Sequence, residues 1–289
     1  MSDTEQYVDN YGVAGHPVNH SWSPFIHAWF ARSTGQAMTY RLYDILPGEF
    51  LERGRQFFAE GGLGLNVTVP HKIAALELAA ELSNRAAHAG AVNTLAMLTN
   101  GSILGDNTDG VGLVRDLRDN LGLNIRRSRV LIIGAGGAAR GALAPLLNLE
   151  PAEVVIANRT AQKAIDLARA FTKLGIVEGV GLRYISGGAF DLIINTTSAG
   201  LSGEIAPLPA TLIGRHTVCY DMSYSMQGTP FERWAVAQGC RTVVQGWGML
   251  VEQAAESFRI WRGILPDTKA VLAAVRQHAG AQRAQRMQA

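Results

Sequence analysis

Val130-Leu131-Ile132-Ile133-Gly134-Ala135-Gly136-Gly137-Ala138-Ala139-Arg140 is the stretch on which the fold turns. Four consecutive apolar residues predict a strand covered on both faces. The glycine-rich run behind them predicts a tight turn into a helix. It fits the pattern G-x-G-x-x-A, with Gly134, Gly136 and Ala139 in the three key places. Gly134 permits the turn, Gly136 leaves no side chain in the way of a pyrophosphate, and Ala139 lets helix and strand pack closely. Backbone N–H groups over Gly134, Ala135, Gly136, Gly137 and Ala138, together with the helix dipole, then favour a dinucleotide's phosphates.

Downstream the same unit repeats. Residues 153–157 predict a second strand, 161–174 a helix, and 190–194 and 217–222 further buried strands. Repeated strand-helix units predict a parallel, doubly wound sheet. The second strand runs into Ala157-Asn158-Arg159-Thr160, which has no acid to bind ribose hydroxyls. Arg159 can pair with a 2′-phosphate, and Asn158 and Thr160 can hydrogen-bond it, so the expected cofactor is NADP(H) rather than NAD(H). The plainer alternative is an arginine that solvates a loop. Asn195-Thr196-Thr197-Ser198-Ala199-Gly200 follows another buried strand, and Thr196 is expected to line the ligand crevice; an ordinary polar turn accounts for it equally.

Upstream, residues 11–14, 39–45 and 63–69 read as strands, with helices over 24–33 and 47–60. The Ala- and Leu-rich run 73–82 predicts a helix. Residues 92–98 and 102–105 predict a hairpin through Asn100-Gly101. A helix is expected over 110–121, and a long one over 248–261. In Asn66-Val67-Thr68-Val69-Pro70-His71-Lys72, Lys72 is expected in the first turn of the helix after Pro70. The helix terminus would there depress its pKa, and a carboxylate nearby would oppose that. Such a lysine suits proton transfer to or from an alcohol; a surface lysine is the alternative. In Gly105-Asp106-Asn107-Thr108-Asp109-Gly110, Asp109 either caps the next helix or pairs with Lys72 across a cleft between domains.

Composition narrows the function classes. The chain has 289 residues, 47% of them hydrophobic, enough for two domains, and a net charge of only +2. No basic groove for nucleic acid is expected. The N-terminus lacks a signal-peptide pattern and no apolar run spans a bilayer, so a cytoplasmic protein is expected. Cys219 and Cys240 are too few and too far apart for a disulfide framework. The histidines show no metal-ligand spacing, and no metal is expected.

Together these motifs resemble the shikimate dehydrogenase family, in order and along nearly the whole chain. The resemblance also takes in Tyr11-Gly12-Val13-Ala14-Gly15, Asn19-His20-Ser21-Trp22-Ser23-Pro24, Gly90-Ala91-Val92-Asn93-Thr94, Asp221-Met222-Ser223-Tyr224 and residues 248–255. It implies an α/β fold of two domains. A substrate domain, 1–109, is completed by 248–289; a Rossmann-type NADP domain spans 110–247. It implies that Ser21 and Ser23 hold a substrate carboxylate, and that Thr68, Asn93 and Gln253 bind ring hydroxyls. Lys72 and Asp109 form the catalytic pair, either of which could be the formal acid/base. Asn158, Arg159 and Thr160 clamp the 2′-phosphate. Met222, Tyr224 and Gly246 lie near nicotinamide or substrate. The implied reaction is NADPH-dependent reduction of 3-dehydroshikimate to shikimate, toward chorismate and the aromatic amino acids, by a monomer or homodimer. The alternatives are an NAD-linked quinate/shikimate dehydrogenase and a non-catalytic ligand sensor.

Overall fold

The computed structural model describes residues 8–197 and 208–287. Two compact units divide the chain. One runs to Asp109 and is rejoined by Val251–Val271; the other takes Gly110–Leu250 and the chain from Leu272 on. The stretch returning to the first unit is therefore shorter than the expected 248–289.

The first unit contains β1 (Asp9–Gly15), α1 (Ser23–Thr34), β2 (Met38–Asp44), α2 (Phe50–Ala59), β3 (Gly62–Val67), β4 (Glu81–Leu82), α3 (Asn84–Ala89), β5 (Thr94–Met97) and β6 (Ile103–Asp106). Its sheet has the order β2-β1-β3-β5-β6-β4. β1 pairs in parallel with β2 and β3, whereas β5 runs antiparallel to β3 and β6. One face packs Leu65, Val67 and Leu95 against Phe50, Phe57 and Leu78. The other buries Tyr11, Ile26, Phe30 and Phe258.

Residues 73–82 do not form the expected α-helix. A single 3-10 turn, Ala74–Leu78, gives way to β4, because Ala80 N and Ser83 N donate to Ile103 O and Gly105 O beside β6. Sheet pairing here overrides the helix preference of alanine and leucine.

α4 (Asp109–Arg115) follows and ends in a π-helical turn, Asp116–Asn120. The second unit then alternates through β7 (Arg129–Ile133), α5 (Gly137–Leu147), β8 (Glu153–Asn158), α6 (Ala161–Phe171), β9 (Val177–Gly181), β10 (Phe190–Asn195), β11 (Ile213–Asp221), α7 (Pro230–Ala237) and β12 (Thr242–Gln245). The chain closes with α8 (Trp247–Arg262) and α9 (Lys269–Met287). The second sheet, β12-β11-β10-β7-β8-β9, is parallel throughout. Its order is that of a doubly wound dinucleotide fold, with the switch between β7 and β10. Val130, Ile132, Val154, Ile156, Leu192 and Ile194 face one apolar cluster; Leu131, Ile133, Val155, Ala157 and Ile193 face another. Both faces are thus covered, which is why these strands read as unbroken apolar runs. Among the described residues, no helix is long and apolar enough to cross a membrane.

Candidate active site

The catalytic candidates meet inside the first unit. Lys72 Nζ donates to Asp109 Oδ2 at 2.6 Å, and Asn93 Nδ2 donates to Asp109 Oδ1 at 2.8 Å. Both carboxylate oxygens are therefore engaged. The side chain of Asp109 is 10% exposed and that of Lys72 29%. Lys72 sits in a turn ahead of the 3-10 segment, not in the first turn of the α-helix expected there. Its aim comes instead from anchored neighbours. His71 Nε2 contacts Ile45 O at 2.7 Å and its ring stacks on Phe50, while Lys72 O accepts from Val92 N. Asp109 begins α4, but its side chain turns to Lys72 and Asn93 rather than capping that helix. The preceding loop is held by Asp106, which accepts from Ser83, Arg85 and Asn107 N.

Asn93 is buried and heavily committed. Its Oδ1 accepts from Thr108 N and Thr94 Oγ1, and its Nδ2 also approaches Thr108 Oγ1 and Gln253 Oε1. Gln253 Oε1 accepts from Thr108 Oγ1 as well, tying α8 to this loop. Ser21 Oγ donates to Ser23 Oγ at 3.1 Å at the start of α1. Thr68 lies at the end of β3 with its N–H on Ala14 O, and its methyl fills the space that a Cβ on Gly15 would take.

The other candidates belong to the second unit. Gly134 has φ 111°, and a Cβ there would stand 2.5 Å from Thr196 Oγ1. Thr196 in turn donates through N and Oγ1 to Ile133 O, joining the loops after β7 and β10. Ala135 packs on the core, Ala138 is half-buried, and Gly136 and Gly137 are exposed. A Cβ on Gly136 would meet no protein atom within 4 Å, so the start of α5 faces open space. That helix has neither a side-chain cap nor an acid in its first turn. α6 is alike, with Thr160 at its uncapped start and Arg159 exposed beside it. Among the described residues no carboxylate pairs with Arg159, and Asn158 Nδ2 donates to Thr160 O. Two uncapped helix starts and an unpaired guanidinium fit a dinucleotide with an additional phosphate. Met222 N donates to Asn195 O, and Gly246 lies so close to Met222 O that a Cβ could not be accommodated. The Tyr224 ring rests 4.4 Å from that of Trp247, and burial pushes its phenol up to about 12. Ser198, Ala199 and Gly200 lie outside the described residues.

Comparison with known proteins matches three family models along the chain. Residues 13–95 match the shikimate dehydrogenase substrate binding domain, 116–200 the shikimate / quinate 5-dehydrogenase family, and 246–276 the shikimate 5′-dehydrogenase C-terminal domain. The shikimate dehydrogenase (NADP(+)) of Methylococcus capsulatus is 53% identical over 264 residues, covering 91% of this chain and 95% of that protein. This chain belongs to the shikimate dehydrogenase family. Among solved structures, an Ael1 enzyme from Pseudomonas putida superposes with a TM-score of 0.87 at 43% identity, covering 92% of this chain and 97% of that one. The shikimate 5-dehydrogenase of Thermus thermophilus, solved in complex with NADP(H) and shikimate, gives 0.81 at 34% identity, with 93% and 99% covered.

Beyond the family motifs lies a polar network to which sequence reading assigned no role. Tyr40 OH donates to Asn66 Oδ1 at 2.8 Å, and Asn66 Nδ2 reaches Asn93 O, Thr94 Oγ1 and Ser257 Oγ. Asn66 was visible within its motif. Tyr40 and Ser257 carried no signal, because each sits in an element that reads as ordinary packing.

Proposed function

We propose that this chain is an NADP-dependent shikimate dehydrogenase, catalysing the reversible reduction of 3-dehydroshikimate to shikimate on the route to chorismate and the aromatic amino acids. The observation that carries the reading is the Lys72–Asp109–Asn93 constellation, 2.6 and 2.8 Å apart in successive contacts. NADPH, when bound, supplies the hydride. Lys72 Nζ donates the proton to the oxygen of the reduced ketone. Asp109 suits the supporting role: both its oxygens already accept, and it is more buried than Lys72. It holds the Lys72 side chain in place. General acid help of this kind is worth about 10²–10⁴-fold.

Ser21 and Ser23 offer hydroxyls to the substrate carboxylate, and Thr68 and Gln253 polar groups to its ring hydroxyls. Asn93 contributes chiefly by orienting Asp109, because its amide is engaged within the unit. Gly134, Ala135, Gly136, Gly137 and Ala138 offer the phosphate-binding turn, with Thr196 bracing it. Asn158, Arg159 and Thr160 offer the 2′-phosphate site. Met222, Tyr224 and Gly246 border the nicotinamide. The reading extends to a cytoplasmic enzyme, monomer or homodimer, whose solution mass sedimentation would give.

The test follows the absorbance of the reduced nicotinamide while shikimate or quinate is paired with NADP⁺ or NAD⁺. Fastest reduction with shikimate and NADP⁺ is expected. A preference for quinate or NAD⁺ would move the chain to the broader quinate/shikimate enzyme. No reduction by folded protein would make it a ligand sensor.

A further inference from the structure

The inner residues of β10 and β11, among them Ile193, Ile194, Cys219 and Tyr220, are buried and fill the sheet between its two cores. At the carboxyl ends of the two strands they give way to Asn195 and Asp221, which stand opposite each other in register and are also buried. A buried amide and carboxylate are costly unless their polar atoms are satisfied. Here the bonds run sideways along the sheet edge. Asn195 Nδ2 donates to Asp221 Oδ1 at 3.0 Å, and the same oxygen accepts from Ser223 N at 3.0 Å. Asn195 Oδ1 accepts from Thr197 N and, at 2.8 Å, from Thr197 Oγ1, so the amide cannot turn over without losing these bonds. Met222 N donates to Asn195 O. From the other side, Gly246 N donates to Ser223 O and Ser225 N to Gln245 Oε1. The loop 222–225 is thus suspended between the ends of β10 and β12, and Asp221 ties its first turn to β10. The phosphate-binding turn is held separately, by Thr196 on Ile133 O.

We propose that Asp221, held by Asn195, is a positioning residue for the nicotinamide half of NADP(H). This rests on the proposed reading of Met222, Tyr224 and Gly246 as the border of the nicotinamide. Hydride transfer is sensitive to where the ring lies, and a misplacement of about 1 Å can cost on the order of a hundredfold in rate. Met222, Ser223 and Tyr224 belong to neither helix nor strand, so their place depends on the bonds just described. Both donors to Asp221 Oδ1 are neutral amides. Asp221 therefore serves as an acceptor fixed in one place, a task that a neutral amide oxygen can also perform.

The experiment compares Asp221→Ala with Asp221→Asn. It reads kcat, the isotope effect on kcat with NADPH deuterated at the transferred position, and the dissociation constant of adenosine 2′,5′-bisphosphate, which carries the adenosine half of NADP⁺ without nicotinamide. Asp221→Ala should lower kcat about tenfold or more and enlarge the isotope effect, because the hydride step is the one slowed. The bisphosphate should bind within about twofold of wild type, because the phosphate turn keeps its own anchor. Asp221→Asn should recover kcat to within about threefold of wild type. An unaltered kcat in Asp221→Ala, a tenfold weaker bisphosphate, or equal losses in the Ala and Asn variants would overturn the assignment. Should Asp221→Ala fail to fold, Thr197→Val removes only the hydroxyl that fixes the Asn195 amide. A fall in kcat of about twofold to fivefold with a larger isotope effect is then expected, and an unaltered kcat overturns the assignment. Wild-type turnover separates the two ideas. With it present, an indifferent Asp221→Ala removes the Asp221 role alone; with it absent in folded protein, the activity reading falls and the Asp221 role with it.

Discussion

Lys72 has one carboxylate partner and a backbone pinned on both sides, so its ammonium is delivered to one place without a helix to direct it. Replacing it with alanine should lower kcat by about 10²–10⁴-fold and leave the melting temperature close to wild type, because the side chain is part-exposed. Near-normal turnover of Lys72→Ala would remove it from the chemistry. Arg159 is the complementary case, an exposed cation with no carboxylate engaged among the described residues. Arg159→Ala should raise KM for NADP⁺ about tenfold or more and leave the weaker use of NAD⁺ unaffected, since only the former carries the 2′-phosphate. Equal losses with both cofactors would point to a structural arginine instead. Both residues could be found from sequence because each stands in a short, ordered motif. Tyr40 could not, because its partners His27, Asn66 and Trp261 come from three other places in the chain.

At the scale of elements, the turn between β7 and α5 is fixed twice, by its own backbone and by the loop after β10. Gly134→Ala would place a methyl 2.5 Å from Thr196 Oγ1 on a residue at φ 111°. A loss of roughly 1–3 kcal/mol of stability is expected, with weaker NADP⁺ binding; thermal melts with and without NADP⁺ would measure both. A second tight approach is at Gly248, whose added Cβ would strike the Asp116 carboxylate. Asp116 is fully buried and accepts from Tyr220 OH at 2.6 Å and from Asn120. Gly248→Ala should therefore lower the melting temperature by several degrees, whereas alanine at the open Gly188 or Gly239 positions meets only backbone strain. Continuous apolar runs gave the central strands β7, β8, β10 and β11 away. β9, α7, β12 and α9 carry weaker patterns and were not anticipated. Residues 73–82 misled because composition speaks for helix while the pairing partner, β6, lies some twenty residues on.

For the whole molecule, acid stability offers a separate check. Burial lowers His27 from 6.5 to about 3, so the folded protein keeps it neutral while the unfolded chain protonates it. Between pH 6.5 and about 3 the unfolded state binds the extra proton. Stability is thus fully present above pH 6.5 and is lost as pH falls, with a slope of up to about 1.4 kcal/mol per pH unit from this group. His27→Phe should flatten that part of the profile in urea melts taken across the range; an unchanged slope would mean the ring is not a source of acid lability. The two-unit plan itself was readable, because the strand-helix pattern restarts at Val130 after the polar turn ending at Gly110. How much of the C-terminal chain returns was not, since the periodicity of α8 says which face is apolar and not what covers it.

The first unit is finished by residues that follow the whole body of the second. Asn66 finds Ser257, Arg85 finds Glu256, Leu95 O finds Trp261 Nε1, and Asp9 finds Arg262, all more than 150 positions along the chain. During synthesis, these groups of the segment before Asp109 must therefore wait for their partners while the intervening unit is made. That delay makes the segment before Asp109 a natural client for chaperones. It also means that a gene rearranged to join 251–271 directly to residue 109 would shorten the wait, and should yield more soluble protein from the same rate of translation.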